Sequence, residues 1–259
     1  MTDAAHPLQV TFEEERYRPV LARQGDSSTL RAIWKEAYGD DYPEDVEPLG
    51  FITTTDLTRV AELLEVGPGS TFVDLGCGRG GPGLWTARRT GAAVVGVDIV
   101  PEAVAEATRR SVDFGVDARA RYQTGSFTAT RLPSASFDAA LSVDSLWMVL
   151  DKPAAVAEVA RILVPGGRWV CTTWEPSYFR HSDLLEAEGW DVLVCEETAN
   201  WRPRQLAVYD AILANEARLV AELGPEAAGV LLLEAREVPK TLSDYRRLLI
   251  AARSAAAPQ

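Results

Sequence analysis

The stretch Val73-Asp74-Leu75-Gly76-Cys77-Gly78-Arg79-Gly80-Gly81-Pro82-Gly83 decides how the rest of the chain is read. It continues an apolar run, TFVDL (71–75), that reads as a buried strand with Asp74 near its carboxyl end. Gly76, Gly78 and Gly80 stand two residues apart, with Gly81 next. Glycine at such positions lets the backbone turn sharply and approach a ligand with no side chain between. GLWTARRT (83–90) then reads as a helix whose first N–H groups point into the same space. A second apolar strand, AVVGVD (93–98), ends on Asp98, 18 residues after Gly80. A carboxylate there can accept both hydroxyls of a ribose. Strand, glycine-rich turn, helix, strand and terminal acid make a nucleoside-binding unit.

The alternation continues on the carboxyl side. PEAVAEATRRSVDFG (101–115) is a helix with Pro101 in its first turn, and ARYQTG (120–125) a third strand. FDAALSVD (137–144) is a fourth strand, KPAAVAEVARILV (152–164) a helix, and Pro165-Gly166-Gly167 a tight turn. RWVCTTWE (168–175), HSDLLEAEG (181–189) and WDVLVCEET (190–198) read as strand, short helix and strand. Apolar strands separated by helices predict a parallel sheet covered on both faces. Residues 203–235 are largely helical, and DYRRLLIAAR (244–253) is expected to close the free edge of the sixth strand. The helical insertion would then lie over the carboxyl end of the sheet, where ligands bind.

On the amino side, TTDLTRVAELLEV (54–66) is an amphipathic helix, capped by Thr54 or Thr55 and stopped by Gly67-Pro68-Gly69. Residues 1–55 form a polar preamble in which LRAIWKEAYG (30–39) is the clearest helix. The expected division is a helical lid over 1–55 and a ligand-binding domain over 56–259, with its insertion at about 203–235.

Composition narrows the function. With 259 residues, 47% hydrophobic and 25% charged, the chain reads as a soluble globular protein that needs no disulfide. A net charge of −12 argues against nucleic acid and against an anionic membrane surface as partners. Cys77, Cys171 and Cys195 lack CxxC spacing and read as reduced thiols. The amino-terminal residues hold no apolar signal core, and no run approaches a membrane span, so a cytoplasmic protein is expected. Two histidines, His6 and His181, make a histidine-built metal site unexpected, so no metal is assigned. A homodimer stays open.

The glycine loop also satisfies GxGxxG, which raises the nicotinamide dinucleotides. Asp74, two residues before Gly76, opposes them, because a carboxylate beside a pyrophosphate is unfavourable. A ligand with a cationic amino group would welcome it.

VDLGCGRGG resembles the first motif of class I S-adenosylmethionine-dependent methyltransferases. The likeness continues through VVGVDIV (94–100), GSFTATRLP with SFDAALSVDSL (125–146) and RILVPGGRWVCTTWE (161–175), and covers about residues 50–200. Within the family it is similar to the small-molecule, natural-product branch. The resemblance implies a doubly wound α/β sheet of seven strands, mostly parallel, in the order 3-2-1-4-5-7-6 with the last strand antiparallel. It implies S-adenosylmethionine as cofactor and a small molecule as acceptor. Asp74 and the loop Gly76-Cys77-Gly78 would hold the cofactor's amino-acid end. Asp98 would bind the ribose, with Ile99, Ser126 and Phe127 beside the adenine and Val143 near the methyl group. The family often has Asp at the position of Ser126.

Catalytic candidates are few. Methyl transfer from a sulfonium can proceed chiefly by positioning, and a base helps most when the nucleophile is a hydroxyl. Some related enzymes carry His after the fourth strand, where this chain has Leu146-Trp147-Met148-Val149. His181 and Asp144 are the remaining acid–base candidates, both at the carboxyl end of the sheet. Trp147, Trp174 and Tyr178 are candidates for the acceptor pocket, with Trp201 a further aromatic. Abundant Ala and Arg with scarce Lys hint at a GC-rich bacterial genome and specialised metabolism. The missing base also motivates an alternative, an enzyme that keeps the cofactor and catalyses a cyclisation or another non-methylating step.

Overall fold

The structure is a computed structural model that describes residues 14–47 and 49–255, without the side chains of Glu14, Glu15 and Arg16. His6 and Glu13 lie outside the described residues. The seven strands are β1 (Thr71–Leu75), β2 (Ala93–Asp98), β3 (Ala120–Thr124), β4 (Phe137–Val143), β5 (Leu163–Pro176), β6 (Asp191–Glu197) and β7 (Tyr245–Arg253). They lie in the order β3-β2-β1-β4-β5-β7-β6, as the resemblance implied. β7 runs antiparallel to both β5 and β6, and the other pairs are parallel. Chain order reverses between β1 and β4, which opens a crevice at the carboxyl ends of those strands.

The helices are α1 (Glu14–Arg23), α2 (Ser28–Tyr38), α3 (Thr54–Leu64), α4 (Gly81–Thr90), α5 (Pro101–Asp113), α6 (Lys152–Ile162), α7 (His181–Ala187), α8 (Trp201–Ala214) and α9 (Glu216–Glu237). Strand residues alternate between two cores, as a pleated sheet covered on both faces requires. Val73, Ala140, Cys171 and Ile250 pack on one face with Val156 and Val159 of α6. Phe72, Leu141, Val170 and Leu249 pack on the other with Val60 of α3 and Leu84 of α4.

A third core lies at the carboxyl end of the sheet. It joins Ile33 and Trp34 of α2, Val208 and Ile212 of α8, and Leu219 and Leu231 of α9 to Trp174 and Tyr245. Pro176 pairs with Tyr245, so those two aromatics mark the edge on which the helices rest. The preamble and the insertion are thus one helical layer. α9 bends at Gly224, whose φ of +82° precedes Pro225.

Some boundaries differ from expectation for local reasons. The cap of α3 is Thr53, whose side chain accepts from Asp56 N–H while the Asp56 carboxylate accepts from Thr53 N–H. α2 starts at Ser28 because Ser27 caps it. β5 begins at Leu163 and carries Pro165-Gly166-Gly167 within it. Its pairing with β4 jumps from Phe137–Leu163 to Ala139–Arg168, so the expected turn is absorbed as an irregularity in the ladder.

Candidate functional site

The site grows from the end of β1. Gly76 N–H and Cys77 N–H both donate to Val97 O, at 2.8 and 3.1 Å, which folds the glycine loop back over β2. Gly76 has φ +68°, and a Cβ there would lie 2.5 Å from Ser145 Cβ. Only glycine satisfies both conditions. Asp98 at the end of β2 is buried, accepts from Gly78 N–H at 2.8 Å and Val100 N–H at 2.9 Å, and so braces the loop. Burial raises its pKa, and those N–H groups oppose the rise.

Asp74 is buried below the loop, and its Oδ2 has no hydrogen-bond partner among the described residues. Burial, reinforced by the Asp98 charge, pushes its pKa up to about 7. A carboxylate in that condition lacks a cation. The Cys77 thiol is also pushed up, first by burial, so it is no nucleophile.

Above the loop lies a cavity of about 210 Å³. Asp74, Gly76, Cys77, Gly78 and Asp98 line one end. Trp34, Phe51, Val143, Trp147, Trp174, Tyr209 and Ile212 give much of the rest an aromatic and aliphatic wall, and Gln24, Glu47, Arg79 and Arg110 also border the cavity. The aromatic wall is edge-packed, with Phe51 5.7 Å from Trp174 and Trp147 5.8 Å from Trp174, centroid to centroid. The segment before α3 roofs the polar end. Arg110 of α5 pins it by donating to Asp45 O at 2.9 Å and Val46 O at 3.0 Å, and it also holds Arg79 O at 3.0 Å.

The sequence candidates separate into two groups. Asp74, Gly76, Cys77, Gly78, Asp98, Val143, Asp144, Trp147 and Trp174 meet at the cavity. His181, Tyr178, Ile99, Ser126 and Phe127 do not line it. His181 is buried at the start of α7, where its backbone N–H donates to Glu175 Oε2 at 2.8 Å. Its Nδ1 lies 3.3 Å from the same oxygen, and its ring rests edge-on against Phe179. Burial lowers its pKa. His181 is therefore part of a buried polar cluster beside the site, neither a base at the cavity nor a surface residue. Tyr178 is 72% exposed, which removes it from the pocket wall. Phe127 packs against Trp169 in the core, and Ser126 hydrogen-bonds Thr128 Oγ1 at 3.1 Å.

Asp144 reaches the cavity but is committed elsewhere. Its Oδ1 accepts from Thr172 Oγ1 at 2.8 Å and Arg247 Nε at 3.1 Å; its Oδ2 accepts from Phe51 N–H at 2.8 Å and Arg247 Nη2 at 3.1 Å. Four donors fill a carboxylate's acceptor sites. Fully buried Arg247 also donates to Asp56 Oδ2 and Thr198 Oγ1, both at 3.0 Å. Asp144 therefore ties β7, β5 and the segment before α3 together, and has no lone pair free for a base.

Sequence reasoning placed a helical layer over the ligand end of the sheet but missed which of its side chains reach the cavity. Tyr17 of α1, Trp34 of α2, Tyr209 of α8 and Glu234 of α9 line the cavity. Glu234 lies in a helix that reads as amphipathic, where an acid passes for solvated surface. Among the described residues no cluster of three or more metal-ligating side chains occurs, and no helix is long and apolar enough to cross a membrane.

Residues 73–171 match the family described as methyltransferase domain. A Streptomyces halstedii protein, methyltransferase GfsG, is 29% identical over 218 residues, 71% of this chain and 78% of its own. The 27-O-demethylrifamycin SV methyltransferase of Amycolatopsis mediterranei is 31% identical over 140 residues, 54% of this chain and 52% of its own length. Among solved structures, the [4+2]-cyclase SpnF aligns with a TM-score of 0.68 at 23% identity, over 78% of this chain and 81% of its own. The Haemonchus contortus phosphoethanolamine N-methyltransferase 2, in complex with S-adenosyl-L-methionine, aligns at 0.69 with 18% identity, over 92% of this chain and 60% of its own.

Proposed function

The chain belongs to the class I S-adenosylmethionine-dependent methyltransferases, and on that premise we propose that it methylates a small, largely apolar acceptor held between the glycine loop and the helical layer. The observation that carries this reading is one cavity with two unlike ends, polar at the loop, where Asp74 and Asp98 stand with Arg79 and Arg110, and aromatic beyond it.

The loop end suits the cofactor. An ammonium placed beside Asp74 would supply the counter-charge that its unpartnered Oδ2 lacks. The close turn at Gly76 and Gly78 leaves bare backbone facing the cavity. Each Asp98 oxygen holds one backbone N–H and keeps lone pairs for the hydroxyls of a ribose. Ile99, Ser126 and Phe127 stand outside the cavity wall and are left out of the proposed contacts. When bound, S-adenosylmethionine supplies an electrophilic methyl group on a cationic sulfonium.

The aromatic end would position the acceptor. Trp147 is fixed by donating Nε1–H to Asp144 O at 2.9 Å, and Trp174 by donating to Gln205 Oε1 at 3.1 Å. Rings held this way give a stiff wall that excludes water and orients an apolar ligand, and orientation alone can supply much of the rate. The Amycolatopsis relative is named for a demethylrifamycin, an acceptor of natural-product type. Bacterial specialised metabolism is the setting this reading favours.

Thermal melting with S-adenosylhomocysteine tests the cofactor end. At about 100 times its Kd a ligand of the native state adds about 2.7 kcal/mol, which raises Tm by roughly 5–10 °C in a chain of this length. Asp98→Ala should abolish most of the shift, and NAD should give none. A shift with NAD and none with S-adenosylhomocysteine would overturn the assignment. With an acceptor in hand, S-adenosylhomocysteine release must match a methyl mass gain one for one. Turnover without mass gain would favour the cyclisation reading, whose motive is the absence of a histidine base after the fourth strand.

A further inference from the structure

The acceptor end of the cavity holds one carboxylate that the cofactor reading leaves unused. Glu234 of α9 lines the cavity and is half-buried. Tyr209 donates its phenolic O–H to Glu234 Oε1 at 2.8 Å, and Tyr17 donates to Oε2. Behind Tyr209 the chain of donors runs the same way. Trp174 Nε1–H donates to Gln205 Oε1, and Gln205 Nε2–H donates to the Tyr209 oxygen at 2.8 Å. Every proton in this series points toward Glu234, an arrangement that supports an ionised carboxylate. Burial works the other way and raises its pKa, while the two phenols oppose that rise.

As a structural tie between α1, α8 and α9 the arrangement is a poor one. Among the described residues no basic side chain pairs with Glu234, and an unpaired carboxylate amid apolar walls costs stability. A glutamine would join the helices more cheaply, since it hydrogen-bonds the phenols without a buried charge. The two phenols occupy about half of the carboxylate's acceptor sites and leave the others for a group inside the cavity. Trp34, Phe51, Trp147, Trp174 and Ile212 make much of the cavity wall apolar, so the free acceptor sites suit a polar group carried in on a ligand.

We propose that Glu234, oriented by Tyr17 and Tyr209, receives the hydroxyl of an otherwise apolar acceptor and is the destination of its proton. The inference rests on the methyl-transfer reading and gives its acceptor a chemistry. A neutral amine attacks with a lone pair already free, whereas a hydroxyl is a weak nucleophile that gains most from a base. In the transfer the acceptor oxygen bonds to the methyl carbon, and the carbon–sulfur bond breaks with its electron pair left on sulfur. The hydroxyl proton passes to the Glu234 carboxylate, so charge and atoms balance.

The test uses wild-type protein and Glu234→Gln, each saturated with S-adenosylhomocysteine. Two probes of one shape are titrated, cyclohexylmethanol and ethylcyclohexane, with quenching of the tryptophans in the wall as the signal. A hydrogen bond to a charged acceptor exceeds one to a neutral amide by about a factor of five. Glu234→Gln is therefore expected to weaken the alcohol about fivefold while the hydrocarbon and S-adenosylhomocysteine change less than twofold. Equal weakening of both probes, or of neither, would overturn the proposal, because a purely structural glutamate cannot tell them apart. Tyr17→Phe gives the structural comparison, with its loss of Tm set beside that of Glu234→Gln. Retained S-adenosylhomocysteine binding with no binding of either probe would instead refute the apolar acceptor chamber. Loss of S-adenosylhomocysteine binding in the wild type would refute the cofactor reading itself.

Discussion

Cofactor affinity should fall steeply on mild acidification, and Asp74 should be the reason. Its pKa stands at about 7 in the free protein, raised first by burial and then by Asp98. An ammonium ligand binds the ionised form, so protonation competes with binding. The apparent Kd then scales as the inverse of the ionised fraction. That fraction is about one half at pH 7 and about 3% at pH 5.5, which predicts a loss of roughly fifteenfold, or about 1.6 kcal/mol. The ligand's own amino group stays protonated throughout this window. Titration calorimetry with S-adenosylhomocysteine at pH 7.0, 6.25 and 5.5 reads the slope directly. Asp74→Asn should bind more weakly at pH 7 and lose the Asp74 part of the slope. A wild-type slope preserved in Asp74→Asn would refute the reasoning and move the titration to Asp98. The free protein gives an independent check with the sign reversed. A carboxyl whose folded pKa is raised contributes stability below its unfolded value, near 3.8, and loses it as pH rises to about 7. At pH 8 that loss is at most about 4 kcal/mol, less whatever local relaxation recovers. Asp74→Asn should flatten this part of the pH–stability curve.

The remaining expectations test the scaffold. Arg247→Met leaves Asp144 and Asp56 without their shared cation and should cost about 3–5 kcal/mol by denaturant unfolding; a loss under 1 kcal/mol would mean the pair is solvated. His181→Ala should lower stability by roughly 1–3 kcal/mol and leave S-adenosylhomocysteine affinity within about twofold, as calorimetry would read. A large loss of affinity with stability intact would return His181 to the site. Gly76→Ala combines a left-handed backbone with overlap on Ser145 and should abolish cofactor binding; a bound variant of normal affinity would sink the account of the loop.

The sheet was legible because its signals are local. TFVDL, AVVGVD and FDAALSV are apolar runs of strand length bounded by turns, and their alternation with helices fixes a parallel sheet from short-range pattern alone. β7 was legible for a different reason: an exposed edge on β6 demanded a partner. The errors fell where a weak local rule met tertiary pairing. Pro165-Gly166-Gly167 has every mark of a chain reversal, yet β4 pairs with Leu163 before it and with Arg168 after it, so the extra residues bulge out of one strand instead of ending it.

The site divides along the same physical boundary. The cofactor end is built from consecutive residues at the ends of β1 and β2, so spacing alone exposes it. Asp144 shows how far such spacing reaches: its position at the end of β4 was right, and its role depended on Arg247, more than a hundred residues later. The acceptor end is harder still. Tyr17, Tyr209 and Glu234 come from three helices and share no motif, and each alone reads as an ordinary residue of an amphipathic helix. Their meaning arises only when α1, α8 and α9 close over the sheet and turn one solvated-looking acid inward. A cavity walled this way can change its chemistry by a single substitution in the helical layer while the glycine loop stays fixed. On the proposed reading, the cofactor side of the site is written in the sequence and the acceptor side only in the fold.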